Sequence, residues 1–182
     1  MSKVNDEEIL SRIKDEKTSD QGFALLMQKY QEQTYWHIRR ILVDHEDTND
    51  VMQNTFIKVW KNINRFRADS KLYTWIYRIA TNEAISFIKS KKSKYYVSLD
   101  EMSDEFGDQL QADVHFNGTT IQRKLYKAIA TLPNRQKMVF NMRYFDAMSY
   151  QDIADVIGVS IGTLKVSYHI AAKKIEKILK TD

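Results

Sequence analysis

The side chains of this 182-residue chain whose types and spacing could do chemistry are concentrated in residues 62–94. That stretch holds eight basic residues against two acidic ones, and its loop and first helical turns add Phe66, Tyr73, Trp75 and Tyr77. Cations neutralise phosphates, and aromatic faces stack on bases that have left the duplex. The stretch therefore predicts a surface for single-stranded or distorted nucleic acid rather than for intact B-form DNA.

The same residues also fit a helix that simply packs in a core. From Ser70 onward the apolar residues recur with a 3.6-residue period, and this period turns Trp75 towards the core. Tyr73 and Tyr77, four residues apart, share a different face. We therefore expect Trp75 to be buried and the two tyrosines to be the stacking candidates. The basic run after residue 88 also suits a solvated helix end.

The net charge of +4 conceals a segregated pattern. Residues 1–61 carry a net −2, residues 62–94 a net +6, residues 95–118 a net −6 and residues 119–182 a net +6. Two basic blocks separated by an acidic connector indicate two separate contacts with a polyanion.

Composition argues against several classes of function. The chain has no cysteine, which excludes a disulfide framework, a thiolate metal site and a thiol nucleophile. The four histidines are dispersed, and neither metal-ligand spacing nor a glycine-rich phosphate loop is present. We therefore predict a protein that is not an enzyme and uses no metal or cofactor. The apolar runs are too short to span a bilayer, so we expect no membrane insertion and a cytoplasmic location.

Few glycines and a single proline favour an all-helical fold. Asn5 or Asp6 can cap a first helix, a second helix is predicted from Asp20 to Leu42, and a third begins at Asp47. The buried stripe predicted for the third helix consists of Val51, Met52, Thr55, Phe56, Val59 and Trp60. Its other face is polar, which fits either plain solvation or docking of a partner protein.

Residues 93–118 lose the helical period and gain acidic residues, serine and glycine. We interpret them as an acidic flexible linker between two domains. A short amphipathic helix near Asp104 to Leu110 is one further expectation for this segment.

The C-terminal part predicts a helix-turn-helix. Helices are expected over Ile121–Thr131, after Pro133, from the capping-box-like Ser149 to Ile157, and from Ser160 to about Leu179. Within this pattern a small Ala154 suits the helix crossing, Gly158 suits a turn that needs positive φ, and Leu164 suits the core. The N-terminal part of the last helix would then lie in a major groove.

Taken together, the two parts resemble a known family. Phe66-Arg67, Ser70, Thr74-Trp75, Tyr77-Arg78-Ile79-Ala80 and Asn82 are similar to region 2 of the extracytoplasmic-function group of bacterial sigma factors. The preceding DTNDVMQNTFIKVW resembles the polymerase-binding helix of that group. LPNRQKMVFNMRYFDAMSYQDIADVIGVSIGTLKVSYHIAAKKI resembles its region 4. The resemblance covers roughly residues 20–92 and 120–179.

This resemblance implies three binding surfaces. The surface for bacterial RNA polymerase core would comprise Asp47, Asp50, Gln53, Asn54, Phe56 and Trp60. The surface for the minus-ten element of promoter DNA, where a base is captured outside the stack, would comprise Asn64, Arg65, Phe66, Arg67, Ser70, Tyr73, Tyr77, Arg78, Asn82, Lys89 and Lys92. The surface for the minus-35 element would comprise Arg143, Ser160, Thr163, Lys165, Val166, His169 and Lys173. The family also suggests an anti-sigma factor as a candidate partner.

In the recognition helix the chain departs from many relatives, which have an arginine-rich stretch there. The polar side chains that remain to contact bases are Ser160, Thr163, Lys165 and His169, while Ile170 and Ala172 are expected to be packing residues. Arg143, Lys173 and Lys174 are expected to contact phosphates.

The sequence thus predicts an all-α protein of two small helical domains joined by the acidic linker. Residues 1–92 would form the region 2-like domain, residues 93–118 the linker, and residues 119–182 the region 4-like helix-turn-helix domain. The predicted function is that of a sigma factor, which directs polymerase to promoters and assists their opening. Two alternatives are a stand-alone helix-turn-helix regulator bound to a symmetric site and a protein-binding helical adaptor without DNA contacts.

Overall fold

The structure of the protein, a computed structural model, describes residues 4–42, 44–94 and 120–181, with side chains except at residues 92–94 and 181. Over these ranges the secondary structure is helical and contains no strand. The short helix expected near Asp104 to Leu110 lies outside the described residues. No helix in the described ranges is both long enough and apolar enough to cross a membrane.

The described helices fall into two groups along the chain. The N-terminal module, our name for residues 4–94, contains α1 (Asp6–Lys14), α2 (Ser19–Leu42), α3 (His45–Asn62), a 3-10 turn (Ile63–Arg65) and α4 (Leu72–Lys94). The C-terminal module, our name for residues 120–181, contains α5 (Thr120–Ala130), α6 (Asn134–Tyr144), α7 (Tyr150–Ile157) and α8 (Ile161–Thr181).

The helix starts follow from side chains that accept otherwise unpaired backbone N–H groups. The Asn5 side chain accepts from Glu8 N at 2.7 Å and begins α1. The Asp44 side chain accepts from Asp47 N at 2.8 Å. Helix α3 therefore begins at His45, two residues before the predicted start.

The N-terminal module has two cores, one at the first half of α2 and one at its C-terminal turns. The first core joins α1 to the others and includes Ile9, Leu26, Val59 and Ile76, all 0% exposed. The second core packs Ile38, Leu42, Val51, Ala80 and Ala84. Burial of such aliphatic side chains is the main favourable term for a helical module of this size.

Helix α1 packs unusually close to the start of α2. At Gly22 a Cβ atom would lie 2.7 Å from Ile13 N and 2.9 Å from Ile13 Cγ1. Only glycine fits this crossing without a shift of backbone. The prediction of two separate helices here is confirmed, and α2 begins at Ser19, one residue before the predicted start.

The C-terminal module is built around α8. Ile129 of α5, Phe140 of α6 and Ala171 and Ile175 of α8 form its main core. Pro133 precedes the first residue of α6 with φ −53°, where the missing N–H costs nothing.

The two modules pack against each other, α4 on α7 and α2 on α6. Tyr77 of α4, 4% exposed, joins a cluster made by Val139, Met142, Met148 and Ile153 of the C-terminal module. This contact could not be predicted from the sequence, because it joins parts of the chain on opposite sides of the acidic connector.

Candidate functional site

The first candidate surface is the outer face of α3. The predicted buried stripe is confirmed at Val51, Thr55, Phe56 and Val59, and wrong at Trp60, which is 40% exposed. Seven residues make almost two turns of helix, so Trp60 lies nearly in line with the exposed Gln53 rather than with the stripe.

This face therefore combines polar and apolar side chains. Asp50, Gln53 and Asn54 are exposed, and Ile57, which was not predicted for this face, is 45% exposed one turn before Trp60. The Trp60 ring is held edge-on by Phe23 of α2 at a centroid distance of 4.7 Å. An exposed tryptophan and isoleucine beside Gln53, Asn54 and a single carboxylate, Asp50, have the composition of a protein-docking face.

Two residues assigned to polymerase binding do not lie free on that face. Phe56 is 4% exposed inside the module, so it can support the face only from beneath. The Asp47 carboxylate accepts from Lys91 Nζ of α4 at 2.5 Å, which partly neutralises it and ties the start of α3 to the end of α4.

The second candidate surface surrounds the loop before α4. Of the residues assigned to the minus-ten element, the exposed ones are Asn64, Arg65, Arg67, Arg78, Asn82 and Lys89. Phe66, Ser70 and Tyr73 are partly buried, Tyr77 is buried, and the side chain of Lys92 is outside the described residues.

A cavity of about 350 Å³ opens on this surface between α3, the 3-10 turn and α4. Its lining consists of Lys58, Asn62, Arg65, Trp75, Ile79, Asn82 and Glu83. Lys58 Nζ donates to Glu83 Oε1 at 2.5 Å at the rim. The volume is at the lower end of small-molecule sites, and the lining offers an aromatic ring, amide groups and a guanidinium. Such a cavity suits one planar, hydrogen-bonding group.

Trp75 is the aromatic residue of this cavity, although the periodicity predicted it to be buried. It is only partly buried, with its ring 5.4 Å from the Phe66 ring. Trp75 therefore lies at the edge of the core, where one part packs and another lines the cavity. Asn62, Lys58 and Glu83 were also missed, since their cavity forms only when α3 and α4 are side by side.

The two tyrosines preferred as stacking residues face the C-terminal module instead. The Tyr73 hydroxyl donates to Asp152 Oδ2 at 2.6 Å. The Tyr77 ring lies 4.3 Å from the His37 ring, and its hydroxyl donates to Gln33 O at 3.3 Å. Burial raises the pKa of Tyr73 to about 12, aided by its bond to Asp152. In this arrangement Tyr77 is buried, so its ring is not available to a base, while Tyr73 is partly buried with its hydroxyl bound to Asp152.

The third candidate surface belongs to the helix-turn-helix, α7 and α8. The predicted capping box is present, with the Ser149 side chain accepting from Asp152 N and the Asp152 side chain accepting from Ser149 N. Gly158 ends α7 at φ 69°, and Leu164 is 0% exposed. These three predictions are confirmed because each rests on local geometry that the sequence specifies.

The exposed side of α8 carries most of the residues assigned to the minus-35 element. Those residues are Ser160, Thr163, Lys165, Val166, His169 and Lys173, all exposed. Ile170, expected to be a packing residue, is 39% exposed and belongs to this side as well. The Ser160 hydroxyl accepts from Thr163 N at 3.3 Å, so part of its capacity is used in capping the helix.

Arg143 does not lie on this side. Its Nη1 donates to Met148 O at 2.7 Å, and its guanidinium lies 5.0 Å from the Tyr150 ring centre. The side chain is partly buried in the turn between α6 and α7. This geometry gives Arg143 a structural role in orienting the helix-turn-helix, which the sequence alone did not predict.

Comparison with known proteins places both modules in one class. Residues 26–94 match the family model for sigma-70 region 2, and residues 122–175 match that for sigma-70 region 4. The two matches define the class of RNA polymerase sigma factors of the sigma-70 type.

Within the described residues no group of three or more histidine and acidic side chains is arranged to hold a metal ion.

The relatives narrow the class further. The chain is 30% identical to the ECF RNA polymerase sigma factor SigW of Bacillus subtilis, over 94% of this chain and 97% of the relative. It is 28% identical to the RNA polymerase sigma-H factor of Pseudomonas aeruginosa, over 99% of this chain and 96% of the relative. The chain belongs to the extracytoplasmic-function (ECF) group of sigma factors.

Solved structures share the fold. CnrH in complex with the cytosolic domain of CnrY aligns with a TM-score of 0.69 at 17% identity, over 97% of this chain and 98% of that one. The sigma factor RpoE in complex with the anti-sigma factor NepR from Bartonella quintana aligns with a TM-score of 0.69 at 20% identity, over 88% of this chain and 98% of that one.

Proposed function

We propose that the chain binds bacterial RNA polymerase core, directs it to promoters and assists their opening without catalysing a reaction. Residues 1–92 bind the polymerase and the minus-ten element, residues 119–182 bind the minus-35 element, and residues 93–118 connect the two. The observation that carries the proposal is the cavity between α3, the 3-10 turn and α4. A member of the sigma family needs a site for one unstacked base, and we assign that site to this cavity.

The free energy gained on binding a base is comparable to the cost of extruding it from the duplex, so promoter opening can be driven by binding alone. Extruding a base costs a few kcal/mol. Stacking on one aromatic residue returns about 1–3 kcal/mol per base. In the proposed site Trp75 supplies the stacking face, while Asn62 and Asn82 offer hydrogen bonds to the base edge. Arg65 and the exposed Arg67 and Arg78 neutralise the phosphates on either side.

The polymerase surface in this proposal is the outer face of α3. Asp50, Gln53 and Asn54 supply directional polar contacts, and Ile57 and Trp60 supply apolar area. Trp60 is held by Phe23, so little side-chain entropy is lost when it is covered. An anti-sigma factor is a candidate partner for the same face, because covering it would block the polymerase.

The minus-35 surface in this proposal is the exposed side of α8. Thr163, Lys165 and His169 read base edges in the major groove, with Val166 as an apolar contact for a thymine methyl. Lys173 contacts a phosphate. Because α8 contains no arginine, the specificity depends on a small number of base contacts.

The test is transcription from fragmented genomic DNA by polymerase core with the wild-type chain, with Asp50→Arg and with Glu7→Arg. Glu7→Arg is the matched control, a charge reversal at an exposed site of α1, which packs on α2. Defined start sites with the wild type and the control, and their loss with Asp50→Arg, support the proposal. Protection of a symmetric duplex site by the chain alone, without new start sites, would replace it with the stand-alone regulator.

A further inference from the structure

We propose that α8 enters the major groove deeply enough for a row of three residues, Gly162, Val166 and Ile170, to read the methyl groups of thymines in the minus-35 element. We call these three residues the apolar row. The inference rests on the proposed function, in which this side of α8 faces that element. It goes beyond the single contact of Val166, because it gives roles to Gly162 and Ile170 and commits the row to thymine.

The apolar row lies on one side of α8. Its members are four positions apart, and residues at that spacing are neighbours on a helix surface, with about 5–6 Å between Cβ atoms. Leu164 and Ala171, both 0% exposed, fix the other side of the helix in the core. The row is therefore continuous and points away from the C-terminal module.

The two side chains of the apolar row are open to solvent. Val166 is 59% exposed and Ile170 is 39% exposed. Single exposed apolar residues are common on protein surfaces, but these two are neighbours on a surface assigned to duplex DNA. On the base edges of the major groove the apolar group is the C5-methyl of thymine. That methyl group is the natural counterpart of an exposed valine and isoleucine.

The charges of α8 leave this part of the groove to the apolar row. Within residues 161–170, Lys165 is the only lysine or arginine. The commonest specific contact, a bidentate Arg or Lys with guanine O6 and N7, is therefore limited to one side chain in these turns. Val166 and Ile170 have no polar atom that could bond to guanine or adenine. The chemistry of the row favours thymine.

Gly162 is not required by the fold of the chain. A Cβ atom built there meets nothing within 4 Å, whereas at Gly22 a Cβ would lie 2.7 Å from Ile13 N. The backbone of Gly162 is also outside the left-handed region, in contrast to Gly158 at φ 69°. A glycine in ordinary helical conformation is less favourable than alanine. Gly162 therefore fits a position where a ligand comes close to the backbone.

Close approach at Gly162 explains how short side chains can reach base edges. Gly162 is the second residue of α8, and the N-terminal residues of a recognition helix contact base edges in the major groove. Valine extends only one carbon beyond its Cβ, so the helix must lie deep for Val166 to touch a methyl group. A side chain at position 162 would hold the row away from the bases.

The spacing of the apolar row limits where the thymines lie. Four residues of helix separate Val166 from Ile170 by about 6 Å along the axis. Successive base pairs are about 3.4 Å apart along the duplex. We therefore expect the two methyl groups to belong to thymines one or two base pairs apart.

The experiment removes methyl groups from the DNA without changing its base pairing. Deoxyuridine replaces thymine at one position at a time across the minus-35 element of a start site mapped with polymerase core. Fluorescence anisotropy measures the affinity of holoenzyme, made from core and the full chain, for each labelled promoter fragment. Burial of one such carbon is worth about a fourfold change in affinity. We expect about that loss at two positions and no loss at the others.

Variants of the chain assign each methyl contact to a side chain. Val166→Ala should make one of the two positions insensitive to deoxyuridine, and Ile170→Ala should do so at the other. The matched control is Ile121→Ala, which shortens an apolar side chain that is 75% exposed on α5, in the same module but outside the row. It should respond to deoxyuridine as the wild type does.

Gly162→Ala separates close approach from folding. Because the added Cβ meets nothing in the chain, urea denaturation should show a stability equal to or higher than that of the wild type. On the promoter fragment the same carbon would meet DNA, and we expect binding to weaken by roughly tenfold. Lower stability, or unchanged binding, would overturn the role of Gly162.

The methyl assignment and the proposed function fail in different ways. If defined start sites appear but deoxyuridine has no effect at any thymine, the methyl assignment is wrong and the sigma function stands. If Val166→Ala and Ile170→Ala weaken assembly with polymerase core and leave the deoxyuridine response unchanged, the row is a protein contact instead.

Failure of the proposed function still leaves a test of the apolar row. If no start sites appear but the chain alone protects a duplex site, the same deoxyuridine series is made in that site, and two sensitive positions that depend on the row support the methyl assignment. A chain that binds no duplex overturns both.

Discussion

The exposed side of α8 and the surface of α4 are both assigned to promoter DNA, yet they differ in how many of the assigned side chains are exposed to solvent. On α8, Thr163, Lys165 and His169 project into solvent from a helix whose inner side is fixed by Leu164. On α4, Arg78 and Asn82 are exposed while Tyr73 and Tyr77 are held by the other module. A surface for duplex can be built in advance on a rigid helix. The surface assigned to the unpaired strand, on α4, is only partly exposed in this structure.

The largest expected effect is on the core packing that fixes α8 in the helix-turn-helix. Leu164→Ala removes a side chain that is 0% exposed in the helix-turn-helix. We expect the free energy of unfolding to fall by about 2–5 kcal/mol, because a cavity is left where the two helices cross. Urea denaturation followed by circular dichroism measures the change.

The control for that prediction is Val166→Ala, two residues further on and 59% exposed. It should change stability by less than about 0.5 kcal/mol. Similar losses for both substitutions would show that α8 is not seated as the structure has it.

Low pH should destabilise the contacts that cover Tyr73 on α4 more than it affects the exposed side of α8. The pKa of Asp152 is lowered to about 2 in the folded protein from an ordinary value of 3.8. A depressed carboxyl pKa contributes stability above the unfolded-state pKa, and that contribution is lost as the pH falls through the folded-state value. We expect the stability to decline between about pH 4 and pH 2, as measured by denaturation across this range.

Asp152→Asn should flatten that part of the acid decline while lowering stability at neutral pH. Asn keeps the shape and part of the capping role but cannot ionise. An unchanged acid decline in this variant would assign the effect to other carboxylates.

A smaller effect is expected at the cavity. Asn82→Ala removes an exposed amide from its lining. We expect binding of a single-stranded minus-ten oligonucleotide to weaken by about 1 kcal/mol, the usual value of one hydrogen bond. Fluorescence anisotropy measures this.

Ser86→Ala, an exposed change one turn further along α4 and outside the cavity lining, is its control. Equal weakening by both changes would count against a base in the cavity.

The smallest effect is expected for Lys173→Ala on α8. A phosphate contact gives no sequence information, so binding should weaken by a similar factor on all duplexes. The slope of log affinity against log salt should become shallower by about 0.9. A loss confined to one sequence would instead make Lys173 a base contact.

Local patterns in the sequence predicted much of this structure. Asn5, Ser149, Gly158 and Leu164 were assigned from rules that span a few residues, and each is where those rules put it. The apolar period of α3 likewise identified its inner side, except at Trp60. These predictions succeed because capping, turns and helical periods depend on neighbours along the chain.

Contacts distant in sequence were not predictable in the same way. The period of α4 gave the face on which Tyr73 and Tyr77 lie but not the partner that covers it. The cavity needs α3 beside α4, so Lys58 and Glu83 could not be assigned to it from sequence. Arg143 looked like a phosphate contact because its backbone acceptor, Met148 O, belongs to a turn with no sequence signature.

Two aspartates of the C-terminal module contact the N-terminal module, and these contacts bear on how such chains are inherited. His37 and Arg40 of α2 bind Asp146, and Thr74 of α4 donates to Asp152 Oδ1, so each contact depends on residues far apart in the chain. A C-terminal module transplanted from another family member would bring its own α6–α7 turn to residues of α2 and α4 that fit this one. Recombination between relatives at the connector would therefore keep both DNA surfaces and lose their mutual fit, which makes the two modules a matched pair rather than interchangeable parts.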